Sequence, residues 1–103
     1  MRRYLLTNAV KADLTAIRRY ITREAGVRVA KSTLTKIRDA FVFLGNTPGA
    51  GHNREDLTDD TVKFWSVYSY LVVYDPATRP IEILRVVHGS RDVADIILRQ
   101  GDD

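Results

Sequence analysis

Two periods of hydrophobicity follow one another along the chain, and the change between them marks its organisation. Tyr4-Leu5-Leu6-Thr7 reads as a short strand, and Asn8 is placed to accept from the orphan amides of a first helical turn. Val10, Leu14, Ile17 and Ile21 then recur at spacings of four, three and four, so they share one face of a helix over about residues 9–25. The other face is polar and mostly basic, with Asp13 set among Arg18, Arg19 and Arg23. Gly26 suits the left-handed position that ends a helix. A second helix carries Ala30, Leu34, Ile37, Phe41 and Leu44 on one stripe and stops at Gly45-Asn46, ahead of Pro48. Helices joined so tightly fold back as an antiparallel hairpin. Neither stripe can be covered by the other alone, so both need a sheet.

After the turn-rich residues 47–53 and a polar stretch, the period shortens to two. Val62 to Trp65 and Val67 to Tyr74 are rich in aromatic and β-branched residues and predict two strands, with Ser66 near the bend. Residues 75–80, with two prolines, form the next turn. Ile81 to His88 is apolar on both faces, so this strand is expected at the centre of the sheet. Gly89-Ser90 breaks it, and Ser90 or Asp92 can cap a last short helix holding Val93, Ile96, Ile97 and Leu98. The expected fold is α/β (α+β): one domain over residues 1–103, an antiparallel sheet packed against an N-terminal helical hairpin, with a short C-terminal helix. Leu14, Ile17, Ile21, Leu34, Ile37 and Phe41 should be buried against Leu71 and Val73 or their alternating neighbours.

Charge sharpens this picture. The net +3 conceals an uneven spread. Residues 1–40 hold ten basic side chains and three acids, a net of +7, and the remainder is net −4. An acidic protein segment or a nucleic acid would complement the first half. The chain lacks cysteine, which excludes disulfides and thiolate metal sites. Its two histidines, His52 and His88, have no nearby cysteine or paired carboxylate, so no metal and no cofactor is expected. The start of the sequence does not read as a signal peptide, and no apolar run approaches the roughly 18 residues of a membrane span. A cytoplasmic protein with no membrane partner is the expectation.

Several side chains have both a chemical and a structural reading. Histidine is the side chain most often used as a general base, so His88 could act as one. It could equally hydrogen-bond the backbone where its strand ends. Arg85 and Arg91 flank Gly89 and could grip a phosphate or a partner's carboxylate, or pair internally with Glu82, Asp92 or Asp95. Phe64, Trp65, Tyr68, Tyr70 and Tyr74 could stack on bases, but aromatics alternating along a hairpin more often pack a sheet. His52 reads as a plain loop residue.

Three stretches, in order, carry a family resemblance: Pro48 to Leu57 between hairpin and sheet, Phe64 to Tyr74 in the central hairpin, and Ile83-Leu84-Arg85-Val86-Val87-His88-Gly89-Ser90-Arg91-Asp92. Together they resemble the RelE/ParE toxins of type II toxin–antitoxin systems, and more closely the ParE branch, over about Tyr4 to Leu98. The resemblance implies a cognate antitoxin, ParD-like or RelB-like, and DNA contact only through that antitoxin. A ParE-like toxin would inhibit DNA gyrase as a protein, with no catalytic residue. A RelE-like toxin would instead be a ribosome-dependent mRNA endonuclease, with Arg85, His88 and Arg91 as its catalytic set. By register from Gly89, the RelE tyrosine falls on Ile97, whose aliphatic side chain moves no proton. The expected target or antitoxin contacts are Arg18, Arg19, Arg54, Trp65, Tyr68, Arg85 and Arg91. An antitoxin tail would lie in a groove edged by the hairpin's cations and floored by Phe64, Trp65 and Tyr68.

Overall fold

Thr7 is the joint on which the two layers meet. In the computed structural model, which describes residues 2–54 and 61–89, Thr7 ends strand β1 (Tyr4–Leu6) and caps helix α1 (Asn8–Ala25). Its hydroxyl accepts from the Val10 amide at 3.3 Å and donates to the carbonyls of Ile83 and Leu84. The cap is thus Thr7, one residue earlier than Asn8. Thr7 does what Asn8 would do and also ties α1 to the sheet. Gly26, at φ 95°, separates α1 from helix α2 (Val27–Asn46) as expected. Gly45, by contrast, lies inside α2. A Cβ there would come within 3.0 Å of Arg3, so the glycine serves the close approach of α2 to the start of β1.

A 3-10 turn, Pro48–Ala50, leads on to β2 (Lys63–Val67), β3 (Tyr70–Asp75) and β4 (Ile81–His88). The sheet order is β1-β4-β3-β2. β4 is central, as its two apolar faces require. The sheet is mixed rather than antiparallel, because β1 runs parallel to β4. Hydrophobic periodicity records which face of a strand is buried and carries no information on the direction of its neighbour.

Ser66 is not at the bend; it sits within β2, paired with Leu71. The turn is Tyr68-Ser69, with Tyr68 at φ 54°. The placement of that turn fixes the parity of β3. Tyr70, Val72 and Tyr74 join Ile81, Ile83 and Val86 beneath Val10, Ile17, Ile21, Ala30, Leu34, Ile37, Phe41 and Leu44, with Leu14 packed at the margin. Leu71 and Val73 lie on the other face, clustered with Phe64 and Val87. The alternating neighbours, not Leu71 and Val73 themselves, therefore meet the helices. Burying these fully enclosed side chains contributes roughly 1.5–3 kcal/mol each before entropy is counted.

A bulge interrupts β4. Val73 pairs with Arg85 while Tyr74 pairs with Ile83, so Leu84 is the extra residue. The bulge falls just past the end of β1, where Thr7 holds both neighbouring carbonyls. Bulges re-aim side chains, and here the residue re-aimed is Arg85.

Candidate functional sites

Arg85 reaches back to the hairpin and meets Asp13. Its Nε and one terminal nitrogen donate to the two carboxylate oxygens at 2.8 Å each. The same carboxylate accepts from the Val86 backbone amide at 3.0 Å. Both side chains are largely covered, 23% and 13% exposed. The hydrogen bonds that Arg85 donates to Asp13 raise the Arg85 pKa above its ordinary value against an opposing effect of burial. Asp13 thus belongs to the sheet side of α1 and not to its solvent-facing polar face. Arg85 pairs with Asp13 and not with Glu82, one of the partners expected from sequence; the other, Asp95, lies outside the described residues. The sequence gives no local sign of this pair, because its members are 72 positions apart.

His88, three residues beyond Arg85, lies edge-on to Tyr70 with ring centroids 5.4 Å apart. Arg91 lies outside the described residues, as do Ile97 and the expected last helix. Of the three side chains a nuclease would use, Arg85 is engaged by a carboxylate and His88 packs on an aromatic ring. Among the described residues no group of three histidine, cysteine, aspartate or glutamate side chains is placed to hold a metal.

A different surface gathers at the other edge of the sheet. Tyr74 donates its hydroxyl hydrogen to the Pro48 carbonyl at 2.7 Å and accepts from the Gly51 amide at 2.9 Å. A Cβ on Gly51 would strike the tyrosine ring, with Cε1 only 2.8 Å away. Burial raises the Tyr74 pKa, and the Gly51 hydrogen bond opposes that shift. Pinned in this way, the loop lays His52 along β2, exchanging both backbone hydrogen bonds with Phe64 at 2.8 Å. The His52 ring stacks near-parallel on Trp65, at 6.2 Å between centroids. Phe43 of α2 packs on the same indole at 5.1 Å. His52 is therefore more than a plain loop residue: it forms one side of an aromatic ledge whose centre is the half-buried Trp65.

Phe43 is 43% exposed and its neighbour Val42 is half exposed. Sequence reading passed over both. Their signal is that they are large, apolar and off the stripe of Leu34, Ile37, Phe41 and Leu44. Tyr68, 68% exposed, stands at the nearby turn. Phe64 does not help to floor this surface; it is buried in the cluster on the opposite face.

The basic residues do not edge the ledge as a single groove would require. Arg18 and Arg19 are exposed on α1, which packs over β4 and β1. Trp65 lies on β2, beneath the C-terminal part of α2. Arg54 is exposed in the loop after His52. The expected contact residues thus fall on separate surfaces: the aromatic ledge, and a basic helical hairpin.

No helix among the described residues is long and apolar enough to cross a membrane. Comparison with known proteins agrees with this architecture. The family model for the ParE toxin of the type II toxin–antitoxin system parDE matches residues 4–93. Toxin ParE3 of Caulobacter vibrioides (strain ATCC 19089 / CIP 103742 / CB 15) is 31% identical over 94 residues, spanning 91% of this chain and 93% of that protein. A solved structure described as the chromosomal ParDE TA system from P. aeruginosa superposes with a TM-score of 0.72 at 20% identity. It covers 85% of this chain and 96% of that one, and it shows a shared fold.

Proposed function

This chain belongs to the ParE toxin family of type II toxin–antitoxin systems, and we propose that it is a cytoplasmic toxin that inhibits DNA gyrase by protein contact and is silenced by a cognate antitoxin. The observation that carries the inhibitory reading is the Asp13–Arg85 pair. An arginine that stabilises a cleaving phosphate must present its fork to the substrate. Here the fork is occupied by a carboxylate of the same chain, which also satisfies the Val86 amide. Releasing it would leave the Asp13 carboxylate with the Val86 amide as its remaining partner, a cost of about 1–3 kcal/mol. With Ile97 at the position of the RelE tyrosine, mRNA cleavage has little to work with.

The aromatic ledge supports the antitoxin half of the proposal. Trp65, Phe43 and Tyr68 offer apolar anchors of the kind that dominate interface energies. An antitoxin tail that orders on binding needs such anchors to offset its lost entropy. The test is expression of the toxin without antitoxin, followed by plasmid topology and by mapping of mRNA ends. Loss of negative supercoiling with intact messages is the expected result. Position-specific cleavage of translated messages, abolished by Arg91→Ala, would establish the endonuclease instead.

A further inference from the structure

The apolar stripe of α2 runs past its own cover. Val27, Leu34 and Phe41 follow at seven-residue spacings, two helical turns each, and so share one face. Phe41 is fully buried and Leu34 nearly so, yet Val27 is 69% exposed. The end of the hairpin beside Gly26 therefore presents core-type surface to solvent. Val29 on α2 and Tyr20 on α1 are half exposed close to the same turn. Arg19, Arg23, Arg28 and Lys31 are exposed along the same stretch of the hairpin. Arg23 lies over the Tyr20 ring at 5.8 Å and also pairs with Glu24 at 3.5 Å. Glu24 is the one acid between positions 18 and 31, against five cations.

We propose that this hairpin tip is the surface the toxin presents to its target, and that its occupant is a protein surface bearing carboxylates around an apolar centre. The proposal rests on the reading of the chain as an inhibitor acting by contact with gyrase. Two features select protein over nucleic acid. A phosphodiester backbone would satisfy the cations and leave Val27, Val29 and Tyr20 wet, whereas a protein surface can desolvate them. Tyrosine and arginine beside a small apolar centre also match the composition of interface anchors. The tip is distinct from the aromatic ledge, which lies at the opposite, C-terminal end of α2. Charge should speed association, and the apolar centre should slow dissociation.

The test compares three double variants with the wild type, each first checked for unchanged helicity and melting temperature. Tyr20→Ser with Val27→Ser removes the apolar centre without changing charge. Arg19→Glu with Arg28→Glu reverses two of the exposed cations. Lys36→Glu with Arg38→Glu makes the same charge change further along α2. Inhibition of supercoiling by purified gyrase is titrated for each, beside growth arrest in cells lacking antitoxin and binding to a short DNA duplex. The first two variants should lose roughly tenfold or more in potency, and the third should stay within about twofold of wild type. Equal potency of the tip variants and the wild type would overturn the proposal. So would an unaffected serine variant beside a charge-reversed one that loses both potency and duplex binding, since that pattern belongs to a nucleic-acid surface. If the wild type leaves gyrase untouched, the gyrase reading fails and growth arrest decides the tip: toxicity retained by both tip variants overturns it, and toxicity lost by both upholds it.

Discussion

Asp13 and Arg85 join the second turn of α1 to the bulged segment of β4 through two hydrogen bonds of 2.8 Å, and the same carboxylate takes the Val86 amide. A free strand edge, a bulge and a cation are all settled by one side chain. Asp13→Ala removes the acceptor for three donors. The pair is only partly enclosed, so the loss should fall between that of a surface and a buried ion pair, about 2–3 kcal/mol. For a chain of this size that lowers the melting temperature by roughly 8–20 °C. Arg85→Ala should cost less, because Asp13 keeps the Val86 amide. Thermal melts of the two single variants and the double variant measure the coupling, which should exceed about 1 kcal/mol.

Tyr74→Phe keeps the ring and removes the hydroxyl, leaving the Pro48 carbonyl and Gly51 amide unpaired. A loss of about 1–3 kcal/mol is expected by denaturant unfolding. The alkaline limb of stability provides a second check. Burial raises the folded-state pKa of Tyr74 above its unfolded value. Above about pH 10 the unfolded chain ionises this group while the folded chain keeps it protonated. The unfolded state then binds fewer protons, so stability falls as pH rises. Its contribution is complete below the unfolded pKa and is lost through the folded one. The Phe variant should show a shallower decline over that range.

Tyr68 holds φ 54° in a two-residue turn while its side chain stands in solvent. A large aromatic residue in this region is strained, and glycine is not. Tyr68→Gly should therefore stabilise the isolated toxin by about 0.5–1 kcal/mol in denaturant unfolding. It should also weaken antitoxin binding, if the ring is kept for contact. A variant that is both more stable and equally well bound would show that the side chain has no part in the interface.

Much of the core could be read from the sequence because it is periodic. The stripes of α1 and α2 and the two-faced β4 needed only local spacing. The parity of β3 did not follow, because it depends on whether the bend falls at Ser66 or at Tyr68-Ser69, and that choice moves Leu71 and Val73 to the opposite face. The direction of β1 did not follow either. The candidate site was harder still. Trp65 and Tyr68 could be picked out as aromatics in the first part of the sheet. Phe43 and His52, which flank the indole, come from a helix and a loop brought together by Tyr74 and Gly51. Arg85 looked like a functional cation because its partner, Asp13, is remote in sequence and sits on a helix face that otherwise looks solvated.

The aromatic ledge makes a kinetic prediction for the antitoxin. Trp65→Ala should raise the dissociation rate of an antitoxin C-terminal segment by roughly tenfold or more. Arg18→Glu with Arg19→Glu should mainly slow association, and the effect should fade at high salt. Surface plasmon resonance at low and high ionic strength separates the two. An unchanged dissociation rate for Trp65→Ala, beside charge-reversed toxin that fails to bind at every salt concentration, would rule out the anchor account.

The central claim is inhibition by contact, and purified components test it most directly. Toxin titrated into a gyrase supercoiling reaction should inhibit at amounts comparable to the enzyme, with activity restored by adding antitoxin. The same preparation should leave ribosome-bound mRNA intact. Undiminished supercoiling at large toxin excess, together with multiple-turnover cleavage of mRNA on translating ribosomes, would contradict it.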